Sequence, residues 1–233
     1  MRGEPVSVVN ENRALYSDFR VGLPVRVKQV LRLFHGREIG TALDIGCADG
    51  AFLGQLRASR KYGIDIAPNR HRPPDVHVVS LDVAAEPLPF EGDYFDVVYA
   101  GEILEHLLDT ERFLREVARV LKPTGLFVLT TPNLCSLKNL YRWLRGRQLA
   151  WVDYKNGQFG HLRYFSPESI RDLLAEAGFV VERVCSSGIE VGAHVPWLAW
   201  LSPITQWIFA HSLRGNCLIL AARKRAAGNG DPS

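Results

Sequence analysis

The chain is poor in several features, and each shortage narrows what it does. Its four cysteines, Cys47, Cys135, Cys185 and Cys217, form no CxxC pair. Structural zinc and disulfide frameworks need clustered cysteines, so the expectation is a reducing compartment, a cytoplasmic location and no metal. No uncharged apolar run reaches the roughly 18 residues of a membrane span. Residues 1–13 lack the apolar core of a signal peptide. Basic residues form no dense track, the main short run being Arg223-Lys224-Arg225, and the formal net charge is only +3. Nucleic acid is therefore not the expected partner. A G-x-G-x-x-G dinucleotide fingerprint and internal repeats are also missing.

What is present suits one α/β domain. A chain of 233 residues with 47% hydrophobic content can bury a sizeable core. Apolar runs at 41–45, 61–66, 76–79, 95–100 and 126–131 read as strands, and helical patterns at 25–34, 49–57 and 110–121 fall between them. Such alternation predicts a parallel sheet covered on both faces. Pro123-Thr124-Gly125 reads as a turn into the fifth strand. A helix is expected at 137–144, and another from a Ser166 cap with Pro167 in its first turn to residue 177. Strands at 179–186 and 217–222 fit an antiparallel edge hairpin.

The stretch Thr41-Ala42-Leu43-Asp44-Ile45-Gly46-Cys47-Ala48-Asp49-Gly50 carries the most information. It is an apolar strand, then a turn with two glycines and two carboxylates, then a helix start. Gly46 and Gly50 let the backbone approach a ligand, and the helix start offers N–H groups. Asp44 and Asp49 repel a pyrophosphate and suit a ligand with positive charge. Asp65, 21 residues after Asp44 at the end of the second strand, suits a ribose diol. Asp82, after the third strand, suits an adenine amine.

The motifs LDIGCADGAFL, YGIDIA, LDVAAEPLPF, FDVVYAGEILEHL and REVARVLKPTGLFVLTTPN, followed by GHLRYFSPESIRDLLAEAGF, resemble class I S-adenosylmethionine-dependent methyltransferases of the small-molecule group. The resemblance covers residues 25–224. It implies a Rossmann-like three-layer sandwich with a seven-stranded, mostly parallel sheet in the order 3-2-1-4-5-7-6, strand 7 antiparallel. It implies S-adenosyl-L-methionine as cofactor, with Asp44, Gly46 and Gly50 around the methionine moiety and Cys47 and Ala48 also in the cofactor site. Asp65 would hold the ribose, Ile66 would pack on the adenosine, and Asp82 and Val83 would contact the adenine. Gly101 and Glu102 would lie beside the sulfonium. Ala48 stands where the family often has glycine; a methyl is a small intrusion, and binding is expected to survive it.

A hydroxyl acceptor needs a proton acceptor, and a histidine suits that near neutral pH. His161, in a polar aromatic loop, is one candidate base; the same residue could instead lock the loop to the sheet. His106 is the other, with a pocket-shaping role as its alternative. Tyr16, Arg163 and Tyr164 are candidates for acceptor contacts, with Tyr16 and Phe19 in an N-terminal lid at 1–24.

Segments 133–165 and 189–213 are expected to shape the acceptor site. The first is basic. The second is aromatic and apolar, and reads as a substrate lid, a dimer face or a membrane-surface patch. Together they fit an amphiphilic acceptor and leave peripheral membrane contact open, as they do monomer against homodimer. Residues 225–233 read as a disordered tail. The expected activity is O-methylation of a natural product, sugar or quinone-like compound. N- or C-methylation, an RNA or protein acceptor, and a non-catalytic cofactor-binding regulator are the alternatives.

Overall fold

The computed structural model describes residues 24–68, 72–150, 161–187, 204, 207 and 212–225. The expected lid with Tyr16 and Phe19, the loop at 151–160, most of 189–213 and the tail after residue 225 lie outside them.

Seven strands form one sheet: β1 (Ile39–Ile45), β2 (Ala58–Asp65), β3 (Val76–Ser80), β4 (Phe95–Gly101), β5 (Leu121–Pro132), β6 (Phe179–Ser187) and β7 (Cys217–Lys224). Their order is β3-β2-β1-β4-β5-β7-β6. The first five run parallel, and β7 lies antiparallel between β5 and β6. This is the expected Rossmann-like arrangement.

The helices are α1 (Val25–Leu33), α2 (Ala51–Gln55), α3 (Thr110–Val120), α4 (Leu137–Leu144) and α5 (Pro167–Glu176). Apolar spacing along each selects the sheet face it covers. Val27 and Val30 of α1 join Phe52 and Leu53 of α2 in one core cluster, with Val97 and Tyr99 of the sheet. Phe113, Leu114 and Val117 of α3 join Ile170 and Leu174 of α5 in the other, against Phe95, Phe127 and Phe179. Two cores on opposite faces make the third layer, and they leave the strand ends free to carry polar loops. Local signals close the helices: Asp109 accepts the Arg112 amide at the start of α3, and Ser166 forms a reciprocal capping box with Ser169 at the start of α5.

Some element boundaries differ from those expected. The helix after the Gly50 turn stops at Gln55, because Leu56 is already extended, and β2 begins at Ala58, opposite Ile39. Pro123-Thr124-Gly125 lies within β5 rather than before it: Phe95 pairs with Leu121 and Val97 with Leu126, so the extra residues form a bulge. Leu121 belongs to that strand, and Val120 closes the buried face of α3. Among the described residues, no helix is long and apolar enough to cross a membrane.

Candidate functional site

The site lies at the C-terminal ends of β1, β2 and β4, where the parallel sheet releases its loops. After β1 the chain turns through three left-handed residues, Gly46 (φ 77°), Ala48 (φ 48°) and Gly50 (φ 72°). The Gly46 and Cys47 amides donate to the Ile64 carbonyl at 2.7 and 3.0 Å, which pins the turn to β2. Close packing of that turn also requires Gly63, where a Cβ would lie 2.6 Å from the Cys47 sulfur.

Asp65 ties two loops together. Its Oδ2 accepts the Ala48 amide at 2.9 Å and its Oδ1 accepts the Ala67 amide at 2.8 Å. A carboxylate has about four lone-pair sites, so each oxygen keeps capacity for a ligand hydroxyl. Asp44 is buried, and burial, then Asp65, then Asp49, push its carboxyl well above the ordinary range. Three crowded carboxylates suit a cationic ligand and oppose a phosphate. Ile66 follows, 58% exposed, and offers an apolar face beside them.

Asp82 accepts the Ala84 amide at 2.9 Å, and Val83 packs against the core. Arg112, from α3, donates to the carbonyls of Val83 and Ala84 at 2.9 and 2.5 Å. It holds the 82–85 loop, a role the sequence alone did not disclose.

The loop after β4 is more constrained than its sequence suggests. Glu102 has φ 59°, a left-handed conformation in a residue with a Cβ. Its amide donates to the Thr130 carbonyl at 2.9 Å. Its Oε1 accepts the Cys217 thiol at 3.2 Å and lies 3.9 Å from the Arg26 Nε. Burial works against the Arg26 charge, but Glu102 foremost, with Cys217, Tyr99 and Glu105, keeps the guanidinium protonated. Arg26 lies at the edge of the apolar face of α1 and belongs to no motif, so the sequence does not single it out.

Leu104–His106 is a single 3-10 turn. Glu105 in it is completely buried. Its Oε2 accepts the Thr131 hydroxyl at 3.1 Å. Burial first, then Glu102, push its carboxyl up to about 8. The Glu105 carbonyl accepts the amides of Leu162 at 2.8 Å and Arg163 at 3.1 Å. Those bonds bring the 161–165 loop onto the end of β4, with the His161 ring centroid 4.9 Å from that of His106 and 6.4 Å from that of Tyr164. Burial and then His106 lower the His161 imidazole to about 4. Burial also lowers His106, while Glu102 works the other way.

Both histidines therefore stand neutral at neutral pH, as proton acceptors. One ligand atom from each of Glu105, His106 and His161 lies within 4.8 Å of the others, a spacing that also suits a metal ion, for which the sequence reading named no ligand. The Arg163 guanidinium is directed at the carbonyls of Leu107 and Leu108, at 3.1 and 2.5 Å. It clamps one site loop to another.

A family model described as a methyltransferase domain matches residues 23–184. The chain is 34% identical over 150 residues to a protein of Mycobacterium tuberculosis named as a probable S-adenosylmethionine-dependent methyltransferase, covering 61% of this chain and 50% of that protein. It is 31% identical over 159 residues to the human mitochondrial ubiquinone biosynthesis O-methyltransferase, covering 61% of this chain and 42% of the relative. The chain thus spans about half the length of the curated relatives it matches. A solved SAM-dependent methyltransferase of Thermotoga maritima, described as a possible histamine N-methyltransferase, superposes with a TM-score of 0.65 at 19% identity, over 93% of this chain and 96% of that one. That likeness concerns the fold.

Proposed function

The chain belongs to the class I S-adenosylmethionine-dependent methyltransferases, and on that premise we propose that it methylates a hydroxyl of a small amphiphilic acceptor. Its cofactor is S-adenosyl-L-methionine, which supplies, when bound, an electrophilic methyl on a sulfonium.

We assign the turn Asp44, Gly46, Cys47, Ala48 and Gly50 to the methionine moiety. The crowded carboxylates Asp44, Asp49 and Asp65 favour a ligand that carries positive charge. Asp65, already fixed by two amides, takes the ribose diol without reorganising. Ile66 covers the adenosine, and Asp82 with Val83 receives the adenine. Gly101 and Glu102 stand beside the sulfonium. The Arg26–Glu102 contact at 3.9 Å helps to hold Glu102 in its left-handed conformation.

The observation that carries the acceptor side is the placement of His161, held over the loop after β4 by its neighbours' amides on the Glu105 carbonyl with its ring 4.9 Å from that of His106; burial that lowers its imidazole to about 4 keeps it neutral but makes it a weak base. Much of methyl transfer is alignment; what a hydroxyl acceptor adds is a proton to remove. His161 accepts that proton at an imidazole nitrogen, and His106 beside it shapes the pocket. Tyr164 and the outer edge of the 161–165 loop orient the acceptor. The quinone O-methyltransferases among the relatives support an oxygen acceptor with an apolar body.

The test is transfer of a labelled methyl from S-adenosyl-L-methionine to a panel of phenols and catechols, with parallel amine acceptors. Methylation of the phenols, lost in His161→Ala, is expected. Turnover only on amines would sink the oxygen assignment, and cofactor binding without turnover on either panel would favour a regulatory protein.

A further inference from the structure

Helix α4 is turned inside out. Of its eight residues, Asn139 alone is buried. The Asn139 amide nitrogen donates to the Asn133 carbonyl at 3.2 Å, and its side-chain oxygen accepts the Ala150 amide at 2.9 Å. Ser136 caps the helix by accepting the Asn139 amide at 3.2 Å, and the Leu137 amide donates to the Arg214 carbonyl at 3.0 Å. Polar bonds therefore hold the helix to the protein. Its apolar side chains are left at the surface: Leu137 44%, Leu140 44%, Tyr141 56%, Trp143 68% and Leu144 69% exposed.

At 100° per residue, Leu137, Leu140, Tyr141 and Leu144 form one continuous stripe, with Trp143 flanking it. An ordinary surface helix buries such a stripe. The rim is basic: Lys138, Arg145 and Arg147 are exposed, and no acidic residue occurs between Glu116 and Asp153. The Arg145 guanidinium lies 5.7 Å from the Tyr141 ring centroid.

We propose that α4 is a docking face for an anionic phospholipid surface, lying in the plane of the headgroups with its apolar stripe inserted. Leucines enter the acyl boundary, Trp and Tyr sit at the level their amphipathic rings favour, and the basic rim pairs with lipid phosphates. A second copy of the chain is the weaker occupant. A two-fold interface would set each basic rim against its own image, and a helix about 12 Å long buries little of the roughly 1,200 Å² of a stable dimer. The helix begins five residues after β5 ends at Pro132, and Thr131 of that strand binds Glu105 in the site. Docking would turn that end of the sheet toward the bilayer, where an amphiphilic acceptor resides.

The experiment is co-sedimentation of the whole protein with phosphatidylglycerol-containing vesicles and with pure phosphatidylcholine vesicles, at low and high salt. Retention by the anionic vesicles is expected, weakening with salt. Trp143→Ser with Leu144→Ser, and separately Arg145→Glu with Arg147→Glu, should each lower partitioning by about tenfold. All four side chains are exposed, so an unchanged thermal melt and unchanged cofactor affinity by calorimetry separate lost docking from lost folding or a failed cofactor site. A second readout uses the unaltered protein: brominated lipid should quench its tryptophan fluorescence, and quench Trp143→Phe less. The proposal is overturned by absence of anionic-vesicle binding, by equal retention of both double variants, or by a dimer in sedimentation velocity that these substitutions dissolve while vesicle binding stays nil.

Discussion

The hydroxyl of Thr131 donates a 3.1 Å hydrogen bond to a Glu105 carboxyl that has no contact with solvent. The pair joins the end of β5 to the loop after β4, and the Glu105 backbone in turn seats the loop that bears His161. One buried acid thus connects the strand ends to the proposed base. Burial favours its neutral form, and the Thr131 hydroxyl gives one of its oxygens a partner.

Stability should fall with pH through this acid. Its folded value, about 8, lies above the 4.5 of an ordinary glutamic acid. The contribution is therefore fully present below about pH 4.5 and is lost as pH rises towards and through 8. Each unit of such a shift is worth about 1.4 kcal/mol, or roughly 3–5 °C in a chain of this size. Glu105→Gln removes the titration, so its melting temperature should decline less than that of the unaltered protein between pH 5 and 8. Parallel declines would show that Glu105 does not titrate in this window.

Asp65→Asn should weaken S-adenosyl-L-methionine binding about tenfold or more. The substitution removes a charge and puts an NH2 group where one of two backbone amides is bonded, and hydrogen bonds to charged groups are worth about 1.5–3 kcal/mol. Calorimetric titration reads this directly. Unchanged affinity would remove Asp65 from the cofactor site.

His161→Ala should lower kcat by about 10² on hydroxyl acceptors, the low end of general-base effects because so acidic an imidazole is a weak base, while leaving cofactor affinity intact. A base lowered to about 4 is neutral throughout the range above that value. Activity should hold from neutral pH down to about 5 and fall as the imidazole protonates near 4. His106→Ala should cost less and act chiefly on KM. Equal losses in the two variants would contradict the division of roles.

Ala48→Gly should stabilise the protein. Ala48 sits at φ 48°, where a Cβ costs about 1–2 kcal/mol and glycine carries no such penalty. After glycine's greater unfolded-state freedom is deducted, a gain of up to about 1 kcal/mol is expected, or roughly 2–4 °C in thermal melting. A lower melting temperature would mean that the Ala48 methyl makes compensating contacts.

Arg163→Ala should raise KM for the acceptor and lower the melting temperature modestly, because two carbonyls at 107 and 108 lose their clamp. Arg163→Lys should restore only part of this, since a single ammonium does not reproduce the guanidinium fork. If Arg163 binds acceptor directly, anionic acceptors alone should suffer in the alanine variant. Assay of charged and neutral phenols separates the two.

The alternation of apolar runs and helical stripes determined the sheet, its covering layers and the placement of the glycine turn and its acids at strand ends. Those features are local: a short continuous apolar run, a period of 3.6, a glycine where φ must be positive, a serine that caps a helix. Side-chain pattern alone specifies them, which is why Asp44, Asp65 and Asp82 were legible in order. The bulge in β5 was not, because Pro123-Thr124-Gly125 has turn chemistry whether it ends a strand or bends one, and only pairing with β4 distinguishes the two. Arg26 and Arg112 act on residues 76 and 29 or fewer positions away, beyond any motif. Glu105 is spelled in a familiar apolar stretch, yet its burial, its raised carboxyl and its hold on the His161 loop need Thr131 and Leu162 brought alongside. The same holds for α4, whose sequence announces an amphipathic helix but not which side faces out. Asn139, bonded to Asn133 and Ala150, decided that, because a buried amide must satisfy its hydrogen bonds and the leucines opposite it are left to the surface.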